Sequence, residues 1–291
     1  MTSKNPTQID STQTQTTRHV SDLFLIDEGI HVLNQQVFDA IQARRPEHLA
    51  RLSRKRVEAG AQALAVNLGP GKHMQQQIPW ILDALTAATD VPLFLSASVI
   101  NNQKILRKYG RKITINAVTA NTDNLAQCMK VARQFETGLV VLLVKKDLVP
   151  AGVNDRIFLA NEVLESAIKA DLPLNQLYLD PVLGCRPDPF AQKVSRGFPD
   201  LGTIVESLVL IKELHRDVKT ILGLGSGSVG IAGEKRSSLQ CRMLQILAAA
   251  RLDAAIINCL DNDLMSLAQN MNSGLLSGPS FHVPAAMASA A

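Results

Sequence analysis

Aromatic side chains are scarce in this sequence: one tryptophan, two tyrosines and eight phenylalanines among 291 residues. So thin a set does not interleave with basic residues to make a base-stacking surface. The basic residues are themselves scattered among acids, despite a formal net charge of +4. Nucleic acid is therefore not an expected partner. The densest basic group, Arg44, Arg45, Arg51, Arg54, Lys55 and Arg56, stands beside Glu47 and Glu58 at helical spacing and reads as a solvated helix face. Cysteine is equally sparse. Cys128, Cys185, Cys241 and Cys259 lie too far apart for a CxxC redox or zinc pair, and no His-x-x-x-His or paired Asp and His spacing occurs, so no metal is expected in this chain. With no basic segment leading into an apolar core near residue 1, this pattern predicts a reducing, cytoplasmic setting. Long hydrophobic runs are missing too. The most apolar, Leu244 to Leu260, is broken by Arg251 and Asp253, so no membrane span is expected.

What is present is material for a core: 46% of the residues are hydrophobic and 19% charged. A chain of this length accommodates either two ordinary domains or one α/β barrel. Residues 1–19, "MTSKNPTQIDSTQTQTTRH", have almost nothing to bury and are expected to form a disordered tail, and residues 281–291 a C-terminal one. No composition break interrupts 20–280, which predicts a single domain.

Eight short apolar runs recur along that domain: 23–26, 63–68, 91–96, 113–118, 139–144, 177–180, 220–225 and 254–258. Between them lie polar or glycine-containing loops and stretches of helical period, such as Val37 to Ala59, Met74 to Thr89 and Asp155 to Ala170. Continuous apolar strands alternating with helices mean a parallel sheet covered by its crossovers, and eight units in one chain predict a (β/α)8 TIM barrel. The run at 220 leads into "GLGSGSVG", with G-x-G-x-x-G at Gly225, Gly227 and Gly230. A dinucleotide turn follows a first strand and is answered by an acid at the end of the next. Here the glycines follow the seventh strand, and Asp253 precedes the eighth instead of ending it. A barrel-mouth loop is the better reading, and NAD is not expected to bind.

Barrel active sites are assembled from strand exits. Read in order, those exits carry Asp27 and Glu28, Asn67, Ser96 and Ser98, Asn116, Lys145 and Lys146, Asp180, Ser226 and Ser228, and Asn258. This is a ring of amides, hydroxyls and a few carboxylates. Asp180 can accept two parallel hydrogen bonds from an amidine-like edge, such as the N3–H and 2-amino group of a pterin, or it can cap a helix or pair with Arg186. Asn116 offers a heterocycle both a donor and an acceptor, or secures the following turn. Cys185 and Cys259 read as packing residues.

The blocks "AGAQALAVNLGPG" (59–71), "VPLFLSAS" (91–98), "ITINAVTA" (113–120), "LNQLYLDPVLG" (174–184), "TILGLGSGSV" (220–229) and "RLDAAIINCLDNDL" (251–264) follow the order and spacing of a known family. The chain resembles the pterin-binding methyltransferases, in particular the methyltetrahydrofolate:corrinoid/iron-sulfur protein methyltransferases, and more distantly the dihydropteroate synthases. The resemblance covers roughly residues 22 to 275 and implies a homodimeric barrel. Such a barrel binds a reduced pterin or folate as substrate and passes a methyl group to the cobalt of cobalamin on a partner corrinoid protein. Carried over by position, Asp180 and Asn116 match residues that hold the pterin, and Asn67 matches a strand-end Asn. The departures are Ala65 and Ser96 where the family has Asp, Ser226 for the Asn that assists at N5, Asn258 for an acid, and "DEGIH" (27–31) for "GERIN". The implied site is thus Ser226 as the catalytic group, with Asn67, Ser96, Asn116, Asp180 and Asn258 binding the pterin.

Two further readings stand beside methyl transfer: a non-catalytic pterin-binding subunit of a methyl-transfer complex, and a dihydropteroate synthase-like condensing enzyme. The latter is disfavoured because the strand-seven loop lacks a Ser-Arg-Lys run. If the N-terminal reading is right, deletion of residues 1–19 leaves the thermal midpoint and its cooperativity unchanged, because the segment offers little apolar surface to offset its ordering entropy. A marked loss of cooperativity in calorimetry would make it an integral part of the fold.

Overall fold

The computed structural model describes residues 23–69, 71–120, 122–144, 150, 152–183, 201–231 and 233–274. Both expected tails lie outside them, as do Lys145, Lys146, Cys185 and Arg186. The strands are β1 (Phe24–His31), β2 (Ala63–Asn67), β3 (Leu93–Leu95), β4 (Ile113–Thr119), β5 (Gly138–Leu142), β6 (Leu177–Asp180), β7 (Lys219–Gly223) and β8 (Ala254–Ile257). All pair in parallel, and they close in sequence order, β8 against β1. The predicted TIM barrel is the fold. Among the described residues, no helix is long and apolar enough to cross a membrane.

Helices α1 (Gln35–Gln42) and α2 (Pro46–Glu58) follow β1, α3 (Lys72–Ala88) follows β2, and α4 (Gln103–Tyr109) follows β3. Then come α5 (Thr122–Phe135), α6 (Val153–Lys169), α7 (Leu201–Leu214), α8 (Glu234–Ala249) and α9 (Asn262–Asn272). The stretch from Val37 to Ala59, expected as one helix, is therefore two. Arg44 takes a positive φ of 48°, Arg45 is non-helical, and Pro46, which has no N–H to donate, starts α2. A proline fits the first helical turn but forces the residue before it out of the helical region.

Alternation along the strands sorts the core into two shells. Leu25, Leu64, Val66, Leu93, Leu95, Val141 and Leu179 face outward beneath the helices in the larger cluster. Ile26, Ala63, Phe94, Val140, Tyr178, Ile221 and Ala254 fill the interior. The start of β7 is tied to the start of β8 by Asp253, whose Oδ2 accepts hydrogen bonds from the Thr220 backbone N–H at 2.7 Å and from Lys212 Nζ at 3.0 Å.

Arg56 corrects the reading of its cluster as a solvated face. Its neighbours Arg51, Arg54 and Lys55 are exposed, but Arg56 is only 3% exposed and reaches from α2 to Asp27, which is fully buried. Arg56 Nε lies 2.8 Å from Asp27 Oδ1, Nη1 donates to the Leu52 carbonyl at 2.8 Å, and Nη2 donates to the Gly29 carbonyl at 3.2 Å. Asp27 also accepts the Gly29 N–H at 2.7 Å and the Cys259 N–H at 3.0 Å, which joins β1 to the exit of β8. Burial pushes the Asp27 carboxyl above its ordinary range, and the guanidinium opposes that shift. Gly29 is required by contact: a Cβ there would stand 2.4 Å from Arg56 Nε. Gly29→Ala is expected to expel the guanidinium, and Arg56→Met to remove it. Each should cost about 3 to 5 kcal/mol, the scale for stranding one partner of a buried pair, read by urea unfolding. A loss below about 1 kcal/mol, the scale of a surface pair, would show that the pair does not organise the seam.

Candidate active site

One further two-residue step from the interior layer reaches the strand exits. From Ile26 it arrives at Glu28, from Ala65 at Asn67, from Phe94 at Ser96, from Tyr178 at Asp180, and from Ile256 at Asn258. On β4 the same step runs from Thr114 to Asn116, just before the register with β5 shifts between Ile115 and Val118. The residues singled out from the sequence therefore share one end of the barrel. The layer directly beneath them holds Ile26, Ala65, Phe94, Tyr178 and Ile256, and Gly223 lies at the exit of β7.

Four of these strand exits share one device. Asp27 accepts from the backbone N–H of Gly29, Asn67 from Gly69 at 3.0 Å, Asp180 from Val182 at 2.7 Å, and Asn258 from Leu260 at 3.1 Å. Each side-chain oxygen accepts from the residue two further on, as Asx residues do, capping the turns that end β2, β6 and β8 and, inside β1, the irregular stretch between Asp27 and Ile30. Asp180 caps the turn after β6, where a helix cap is the alternative that the sequence predicts, and among the described residues the bond engages only Oδ1. Among the described residues no cation pairs with Asp180, and burial pushes its carboxyl up to about 7, with the Val182 N–H pulling the other way.

Asn116 and Asp180 lie on β4 and β6, on either side of β5; Leu142 of β5 pairs with Asp180 and with Thr119, so Asn116 stands lower on its strand, in the stretch where the register with β5 shifts. Asn67 and Asn258 are exposed at the rim, while Ser96 is half-buried where β3 enters a 3-10 turn over Ala97–Asn101. Nearby, Gln75 on α3 accepts from Ser98 Oγ at 2.6 Å and donates to the Gly69 carbonyl at 2.6 Å, tying the β2 and β3 exits together. Among the described residues no group of three or more His, Cys, Asp or Glu side chains is arranged to hold a metal ion.

The glycine loop has three separate jobs. Gly225 allows close approach: a Cβ there would be 2.9 Å from Glu28 Oε2. β8 separates β1 from β7, so Glu28 reaches Gly225 only by crossing the mouth. Gly227 packs against Leu183 and Met243, and Gly230 turns the chain at φ +82°. Ser226 is exposed on the 3-10 turn between them, whereas Ser228 is buried and accepts from Gln240 Nε2 at 2.8 Å and Arg236 Nε at 3.3 Å. Burial pushes the Glu28 carboxyl up, opposed by the charge of Arg236 and reinforced by Asp27. Glu28 was named in the sequence ring but not placed in the implied site. Counting two residues on from Phe24 and Ile26 is the signal that puts it inside while Asp27 points out. Cys259 is buried, as a packing cysteine should be.

No protein-family model matches the sequence. Solved structures do share the architecture. The 7,8-dihydropteroate synthase of Vibrio fischeri ES114 superposes with a TM-score of 0.62 at 12% identity, over 89% of this chain and 95% of that one. The Stenotrophomonas maltophilia dihydropteroate synthase, with imidazole bound in its active site, gives 0.62 at 13% identity over 89% and 96%. The Yersinia pestis dihydropteroate synthase, with a pterine-sulfa conjugate, gives 0.60 at 12% over 88% and 95%. At these identities the likeness establishes a common barrel fold.

Proposed function

We propose that this barrel binds a reduced pterin at its mouth and transfers a methyl group from it to the cobalt of a corrinoid carried by a partner protein. The observation that carries the reading is the Asp180 carboxylate. It sits at the exit of β6 with one oxygen turned to its own backbone, no cation among the described residues to neutralise it, and Asn116 across β5. A group so placed is costly when ionised and empty, and is stabilised when a ligand brings two parallel N–H donors. The 2-amino and N3–H edge of a pterin supplies them, while Asn116 offers a donor and an acceptor to the ring. The dihydropteroate synthases that share the fold include one solved with a pterine-sulfa conjugate, which supports the same ligand class here.

Loss of the methyl group is easier when the departing nitrogen is protonated or hydrogen-bonded, so a donor that acts as charge changes there lowers the barrier. In this reading Ser226 fills that role: it is exposed on the turn after β7, between the exits of β6 and β8. The corrinoid supplies the methyl-accepting metal from another chain.

Asp180→Asn separates a functional carboxylate from a structural one. The folded pKa of about 7 lies above the ordinary 3.8. The folded chain therefore holds a proton that the unfolded chain releases between those values, and stability falls as pH rises from about 4 to about 7. Asn keeps the cap on Val182 and removes the charge. The variant should lose this slope and be more stable than the parent at pH 8, by at most about 4 kcal/mol, read by chemical unfolding across pH. Methyltetrahydrofolate binding should move the opposite way, weakening by about 2 to 4 kcal/mol in calorimetry at pH 8, with parent affinity falling below pH 7. Unchanged affinity in Asp180→Asn would remove the residue on which the proposal rests.

Ser226→Ala should leave pterin affinity within about threefold and lower the methyl-transfer rate to cobalamin, because its contact matters as charge develops. Equal loss of binding and rate would make Ser226 a ground-state contact instead.

A further inference from the structure

The half of the mouth away from Asp180 carries a carboxyl that the fold leaves unengaged. Glu28 is half-buried at the exit of β1, and among the described residues neither of its oxygens has a hydrogen-bond or ion-pair partner. Its neighbour Asp27 is held by Arg56 and two backbone N–H groups, and Asp180 by the Val182 N–H. Glu28 instead reaches past the exit of β8, where its Oε2 stands 2.9 Å from the position that a Cβ on Gly225 would take. The same turn brings Ser226 to that place. Ser226 Oγ lies 3.9 Å from the position that a Cβ on Gly223 would take. Gly223 follows the inward-facing Ile221 by two residues, so the hydroxyl stands over the barrel interior. One carboxyl and one hydroxyl therefore converge on the space above β7, β8 and β1.

Closure of the ring decides what this pair faces. Eight strands joined in sequence order put β1 opposite β5. A bicyclic ring held by its amidine edge between Asn116 on β4 and Asp180 on β6 therefore extends its second ring towards β1. In a tetrahydropterin that second ring contains N5. Breaking the N5–CH3 bond leaves an electron pair on nitrogen, and without a proton the product would be an amide anion. A serine hydroxyl donates a hydrogen bond to that nitrogen but does not surrender its proton at neutral pH, whereas a carboxyl does. Burial holds the Glu28 carboxyl above its ordinary range, opposed by the charge of Arg236 on α8 and reinforced by Asp27 on its own strand. The other titratable groups on this side are His31 on β1 and Cys259 after β8. Burial and Arg56 push the imidazole down, so that it is uncharged at neutral pH, and burial pushes the thiol up, which leaves it a poor acid.

We propose that Glu28 is the general acid of the methyl transfer, delivering its proton to the pterin N5, while Ser226 hydrogen-bonds the electron pair that the departing methyl leaves there. The assignment rests on the pterin reading above and adds a catalytic residue to it. The proton passes from the carboxyl to N5, the electron pair of the N5–CH3 bond stays on nitrogen, and the cobalt of the partner's corrinoid supplies the pair for its new bond to the methyl carbon. Cobalt is formally oxidised by two electrons and the methyl carbon reduced by the same two. The N5–H pterin and a Glu28 carboxylate remain, and solvent reprotonates the latter. Stopped-flow transfer from methyltetrahydrofolate to free cob(I)alamin across pH tests this, at saturating folate so that weaker binding does not enter, with calorimetry for affinity. The parent rate should fall as pH rises through the Glu28 ionisation. Glu28→Gln should be about a hundredfold slower on the acid side and lose that limb, with methyltetrahydrofolate affinity kept within about threefold. Glu28→Asp should be slow but keep the limb. Arg236→Gln, which removes the opposing charge, should move the limb to higher pH. A Glu28→Gln rate within about threefold of the parent, or a limb that survives in it, would overturn the assignment while retained binding keeps the pterin reading. Rate and affinity falling together, or binding without turnover in the parent, would overturn it in the same way. Absence of methyltetrahydrofolate binding by the parent would remove the pterin reading and the assignment with it. Should Glu28→Gln fail to fold by circular dichroism, the Glu28→Asp and Arg236→Gln profiles decide, and a limb unmoved in Arg236→Gln counts against Glu28.

Discussion

A carboxylate with no access to water stands at the closing seam of this barrel. Asp27 joins three elements: its own strand through Gly29, the exit of β8 through the Cys259 N–H, and α2 through Arg56. Taking two charges out of water costs several kcal/mol per ion, and their attraction in the interior repays this only when the remaining polar atoms are also satisfied. That condition restricts the geometry. The guanidinium must lie flat over residue 29, which is why that residue has no side chain. β1 must then shift its register with β2 between Asp27 and Ile30. The ion pair is not a large source of stability compared with an apolar pair. It fixes which way consecutive residues face, and Glu28 enters the mouth because Asp27 does not.

The two ends of the barrel are filled on different plans. At the strand exits the inward positions are short amides, hydroxyls and carboxylates, and Asn67, Asp180 and Asn258 among them first cap their own turns. Capping holds each side chain at the rim and leaves its second polar atom for a ligand, so a structural and a binding role coexist in one residue. At the strand starts the inward positions mix Phe24 and Lys219 with Ala63, Gly138 and Ala254, and Asp253 braces that end through Lys212 and Thr220.

Much of this was legible in the chain. Each of the eight apolar runs corresponds to a strand, because a strand buried on both faces needs an unbroken apolar stretch and few other structures do. Asn67, Ser96, Asn116, Asp180 and Asn258 were found at one end because a parallel barrel brings every strand exit to the same face. The glycine motif was recognisable as something other than a dinucleotide turn from its place after the seventh strand. Its actual uses, an approach by Glu28, a packing contact with Leu183 and a turn, come from elements distant in sequence and carry no local signature.

The sequence by itself determined the architecture and the identity of the polar ring, since both follow from periodicity and from the order of strands and helices. Only the tertiary structure decided which charges are solvated and which are structural. Arg51, Arg54, Lys55 and Arg56 are alike in type and adjacent in the chain, yet only Arg56 is buried, because its helical phase and its distance from Asp27 match across the seam. The same holds for carboxylates. Asp27, Asp180 and Asp253 read alike in one dimension, but the fold brings Arg56 to Asp27 and Lys212 to Asp253, and no cation among the described residues to Asp180. Proximity of that kind is set by closure of the ring, a long-range condition that no window of sequence contains.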